Sequence, residues 1–115
     1  MKRTEHQEQV ALFQWMRMQH PKVTIFAIPN AAKRSPQLAN YMKSEGLMAG
    51  VADIFLMKAV GNYHGLFIEM KSQNGTVSDS QNRFLDKADA EGYATCVCYS
   101  YEEAKQFIEN YLQNK

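Results

Sequence analysis

Along the first twenty positions, apolar Val10, Leu12, Phe13, Trp15 and Met16 recur near helical spacing in otherwise polar text, with Thr4 and Gln7 placed as a capping box and Pro21 closing the run. The pattern predicts a helix over Thr4 to His20. Val23 to Ile28 (VTIFAI) crowds β-branched and aromatic residues between Pro21 and Pro29, which is a strand signature. NAAKRS then reads as a loop, followed by a short helix over roughly Pro36 to Glu45 that Gly46 and Gly50 punctuate.

Two strand-like runs come next, Asp53 to Val60 and Gly65 to Lys71, joined through GNYHG as a hairpin. Alternation sends Ile54, Leu56, Leu66, Ile68 and Met70 to one face and Asp53, Phe55, Met57, Phe67, Glu69 and Lys71 to the other. Both faces are apolar near the middle, so helices should cover the sheet on both sides. Beyond a polar loop, Ser78 caps a helix over Asp79 to Glu91 that Gly92 ends. Tyr93 to Tyr99 makes another strand, and Ser100 with Glu103 forms a capping box for a last helix carrying Ala104, Phe107, Ile108 and Leu112. The order α-β-(α)-β-β-α-β-α places the chain in the α/β class.

A chain of 115 residues, 45% of them hydrophobic, suffices for one core and one domain, here taken as residues 1–115. The formal net charge of +1 offers nucleic acid little overall attraction, so any such surface must be a local patch. Cys96 and Cys98 sit two apart on a strand, a poor geometry for a bridge, which points to a reduced, cytoplasmic protein. No secretory leader and no apolar run of the roughly 20 residues that a membrane helix needs is present. His6, His20 and His64 lack zinc-like spacing, and Met16, Met48, Met57 and Met70 read as core fillers.

The chemistry gathers at the hairpin. Glu69 and Lys71 leave the same strand face, and a turn centred near Asn62 puts Asp53 across from about Lys71, with Glu69 as a diagonal neighbour roughly 7 to 8 Å away at the backbone. An alternating Glu and Lys is by itself common on solvated strands; the apolar strand that carries this pair, and the aspartate opposite it, make it different. Two carboxylates suit Mg2+, which keeps several waters and completes its shell with substrate phosphate. Asp53 and Glu69 are therefore the expected metal ligands for phosphodiester hydrolysis, with Lys71 as a cation that orients water and offsets phosphate charge.

These residues resemble the PD-(D/E)xK nuclease superfamily and, within it, the VRR-NUC (virus-type replication-repair nuclease) family, in its stand-alone phage form. The resemblance runs from Glu5 to Ser100 through Glu5 and Gln9, PNAAK at Pro29 to Lys33, GVAD at Gly50 to Asp53, IEMK at Ile68 to Lys71, and VSDSQ at Val77 to Gln81. Ala52 stands where the superfamily name places proline. The likeness implies a restriction-endonuclease-like core, a central mixed β-sheet flanked by helices. It also implies that Glu5 and the Met70 backbone carbonyl join Asp53 and Glu69 around the metal, with Mn2+ able to replace Mg2+, and that Gln81 arranges the site from the following helix. Glu5 reads equally as a helix-start carboxylate favoured by the macrodipole, and Gln81 as an exposed first-turn residue. Asn30, Lys33 and Arg34 would contact phosphate, against the plainer reading of a solvated basic loop.

The substrate so implied is DNA, branched forms such as four-way junctions above all, and symmetric cutting of a junction requires two sites and hence a homodimer. For a phage protein the compartment is the host cytoplasm. The competing reading is a catalytically silent DNA-binding or scaffold module that retains the nuclease fold. A restriction-like enzyme reading duplex sequence ranks lower, because no separate recognition domain fits in this length.

Overall fold

The computed structural model describes residues 3–29 and 34–114. Helix α1 (Glu5–Gln19) begins at Thr4, whose hydroxyl accepts from the Gln7 amide while the Gln7 side chain accepts from the Thr4 amide, the capping box that the sequence predicts. Strand β1 (Thr24–Ala27), helix α2 (Pro36–Ser44), strands β2 (Ile54–Met57) and β3 (Leu66–Met70), helix α3 (Asp79–Ala90), strand β4 (Ala94–Cys98) and helix α4 (Tyr101–Gln113) follow. The strands form one sheet in the order β1-β2-β3-β4. The first two pairings are antiparallel and β3 pairs β4 in parallel, so the sheet is mixed, with α3 as the crossover that parallel neighbours need.

The predicted alternation holds. Ile54, Leu56, Leu66, Ile68 and Met70 point to one face, where they join Leu12, Trp15 and Met16 of α1 and Ala104, Ile108 and Tyr111 of α4 in a continuous core. On the opposite face Phe55 and Phe67 lie with ring centroids 4.6 Å apart, and Phe84 of α3 meets Phe67 edge-on. Helix α3 packs on β4, so its cover does not extend across the whole face. Phe26 stays 45% exposed and Met57 55% exposed over β1 and β2, which corrects the expectation of two covered faces. Met16 and Met70 are core residues as expected, whereas Met57 and Met48 are exposed, the first at this uncovered end of the sheet and the second in the loop after α2.

One local expectation also changes, and another agrees with the structure. Ser100 caps α4 by accepting from the Glu103 amide, but the Glu103 carboxylate accepts from Tyr99 rather than closing a box on Ser100. Cys96 and Cys98 are free thiols, buried with sulfurs 3.6 Å apart. No helix among the described residues is long and apolar enough to cross a membrane.

Candidate active site

The β2–β3 ladder pairs Ile54 with Ile68, and continuing that register by one residue brings Asp53 across from Glu69. The expected partner was Lys71. The difference arises in the connection, where the Lys58 amide turns back to the Leu56 carbonyl and a separate bridge joins Val60 to Tyr63 around Gly61 at φ 60°. That bridge is one residue out of step with the ladder, so counting outward from the turn misplaces the pairing.

At this end of the sheet the Asp53 side chain replaces backbone pairing. Its Oδ2 accepts from the Met70 amide at 2.8 Å, and its main-chain carbonyl accepts from Ile28 at 2.7 Å. Both bonds fix the carboxylate beside the end of β3. Met70 buries its side chain in the core, which leaves its backbone to serve the site between Glu69 and Lys71.

Glu69 is 2% exposed. Its Oε2 accepts from Gln81 Nε2 at 2.9 Å and lies 3.5 Å from Lys71 Nζ. Its Oε1 is buried and has no hydrogen-bond partner among the described residues. Burial, then the charge of Asp53, push the Glu69 carboxyl up to about 7, with Lys71 pulling the other way. A buried carboxylate oxygen without a donor is costly. One lysine, paired with Glu69, stands beside two carboxylates and leaves room for a further cation.

Gln81 is held at both ends, which the sequence reading did not foresee. Ser78 and Gln81 form a full capping box at the start of α3: the Gln81 amide donates to Ser78 Oγ at 3.2 Å, and Gln81 Oε1 accepts from the Ser78 amide at 2.9 Å. With the oxygen engaged, the amide NH2 is left to face Glu69. The S-x-x-Q spacing is the visible signal for this arrangement.

Glu5, the first residue of α1, lines two open grooves. One, about 560 Å³, runs along α1 past Gln9, Val10, Phe13 and Arg17 to Ala27; the other, about 530 Å³, holds Lys71, Ser72, Gln73, Asn74 and Tyr99. Among the described residues no three His, Cys, Asp or Glu side chains form a metal cage, so Glu5 is not gathered with Asp53 and Glu69 into a three-carboxylate set. Arg34 is exposed just before α2, and Asn30 and Lys33 lie outside the described residues.

A mixed four-stranded sheet flanked by helices is the arrangement of a nuclease-like fold. The VRR-NUC domain family profile matches residues 3–102, and the chain belongs to that family, which makes it a nuclease domain. A solved structure titled "VRR_NUC domain protein" superposes with a TM-score of 0.84 at 26% identity, covering 98% of this chain and 91% of the other. No curated protein matches the chain.

Proposed function

We propose that the protein is a Mg2+-dependent DNA endonuclease, and that Asp53, Glu69 and Lys71 are its cutting site. The observation that carries this reading is Glu69 Oε1, a buried carboxylate oxygen without a donor among the described residues, beside a second carboxylate. The donor set fits a hard cation: two carboxylates and a strand-end carbonyl, all oxygen, on two adjoining strands. Asp53 and Glu69 would hold it, with the Met70 carbonyl as a further ligand and Mn2+ as a substitute. When bound, Mg2+ supplies a Lewis acid that lowers the pKa of water and offsets charge on the scissile phosphate.

The chain's own groups do the rest. Asp53 is held in place by the Met70 amide. Gln81 fixes one oxygen of Glu69 and leaves the other toward the ligand. Lys71, with its side chain 16% exposed beside Glu69, presents a cation to phosphate and water at the mouth of the site. The two grooves lined by Glu5 give a strand a path to Lys71, with Gln9 and Arg17 along one and Ser72, Gln73 and Asn74 beside Lys71 along the other. Glu5 lines both grooves as a substrate-facing carboxylate outside the Asp53–Glu69 pair, and Arg34, exposed just before α2, is a phosphate contact.

Selectivity for branched DNA and action as a homodimer complete the reading. Symmetric cutting of a four-way junction needs two sites, and the exposed Phe26 and Met57 offer an apolar surface for a second copy. The test compares labelled linear duplex, flap and four-way-junction DNA with Mg2+. Faster cutting of the junction, paired across its symmetric strands, is expected. Equal cutting of all three removes the selectivity, and no cutting of any removes the nuclease assignment.

A further inference from the structure

We propose that Gly50 is a positioning residue of this site, whose missing side chain lets the turn before β2 close on the first turn of α3 and so sets Asp53 against the Gln81–Glu69 pair. The inference rests on the reading of Asp53 and Glu69 as metal ligands and adds a residue that touches neither.

Gly50 has φ +87°, and a Cβ built there would lie 2.5 Å from the Ser80 carbonyl oxygen, 2.6 Å from its carbon and 3.0 Å from the Gln81 nitrogen. All three are main-chain atoms in a helix, so no rotamer change relieves the contact. The two sides of this contact lead to the two halves of the site. Asp53 follows Gly50 by three residues and is tied by Oδ2 to the Met70 amide. Gln81 follows Ser80 directly, and its Nε2 reaches Glu69 Oε2 at 2.9 Å. A closed circuit results, from Gly50 through Asp53, Met70, Glu69 and Gln81 back to Ser80. Widening it at Gly50 moves Gln81 away from Glu69 and, with it, strains the bond that holds Asp53 to β3.

Gly46 supplies the control. It has φ +107° with nothing among the described residues within 4 Å of a built Cβ, so alanine there adds backbone strain without a collision. Wild type, Gly50→Ala, Gly46→Ala, Gln81→Ala and the Gly50→Ala/Gln81→Ala double variant are compared for urea stability, Mn2+ binding by calorimetry, and kcat and KM on DNA. Both glycine variants are expected to lose stability. Gly50→Ala alone of the two should weaken Mn2+ binding, by about 10- to 100-fold, and lower kcat with little change in KM. On the Gln81→Ala background the Gly50→Ala loss should shrink, because both act through Glu69. Unchanged Mn2+ affinity in Gly50→Ala, an equal loss in Gly46→Ala, or full additivity in the double variant overturns the proposal. Should Gly50→Ala not fold, Ala52→Gly slackens the link between the contact and Asp53 without adding bulk, and unaltered Mn2+ affinity there overturns it as well. Wild type that binds Mn2+ in this pattern but cuts no DNA removes the nuclease reading and leaves the inference standing; wild type that binds no Mn2+ removes both.

Discussion

At the residue scale, folding and metal binding make opposite demands on Glu69. The fold buries it and holds its carboxyl near 7 against an ordinary 4.5, so without metal the folded state keeps a proton that the unfolded chain releases. That preference stabilises the fold fully below pH 4.5 and is lost as pH rises through about 7, a difference of up to about 3 kcal/mol. Glu69→Gln should therefore raise the urea midpoint of the metal-free protein near pH 8, with the gain shrinking toward pH 4.5. A gain that does not change with pH contradicts the placement. In the proposed site Lys71 is a fixed cation at the reacting phosphate, and Lys71→Ala should lower kcat by about 10²- to 10³-fold and also lower the urea midpoint above pH 7, where buried Glu69 loses its cation. A variant that cuts as fast as wild type removes Lys71 from the site.

At the element scale, β3 links the core to the chemistry. Leu66 and Ile68 are fully buried on one face, while Phe67 and Glu69 share the other. Ile68→Ala should cost about 2 to 5 kcal/mol in urea unfolding, and a loss below 1 kcal/mol would show that the strand is not anchored as described. Ser78→Ala should cost about 1 kcal/mol by removing the cap of α3, and it should also weaken Mn2+ binding because Gln81 loses its anchor. Loss of stability with unchanged Mn2+ affinity contradicts that coupling.

Most elements were legible in the sequence because their signals are local: the Thr4–Gln7 box, the prolines around β1, and period-two alternation in β2 and β3. The convergence of Asp53 with Glu69 was legible for the same reason. Its register was not, since the offset at Val60 and Tyr63 depends on how the connection folds rather than on which residues it contains. Nor was the Gly50–Ser80 contact, which joins positions thirty residues apart that no periodicity connects. Ser100 carries the same serine signal as Ser78, yet Glu103 turns to Tyr99, so spacing alone does not decide whether a box closes.

At the scale of the whole molecule, apolar surface is left unmatched. The sheet is covered by α1 and α4 on one face, while on the other Phe26 and Met57 remain exposed over β1 and β2. If this surface joins two copies, light scattering should give a dimer mass for wild type and a monomer mass for Phe26→Asp/Met57→Asp, with the variant losing paired cuts in junctions before it loses cutting itself. Wild type that stays monomeric at working concentration contradicts the dimer.

The two carboxylates remain the centre of the account, and the most direct measurement is cleavage of labelled four-way-junction DNA by wild type and by Asp53→Asn, each with Mg2+ and with EDTA. Cutting by wild type in Mg2+ alone, reduced by at least about 10²-fold in Asp53→Asn, is the predicted result. Cutting that persists in EDTA, or an Asp53→Asn variant as active as wild type, contradicts it.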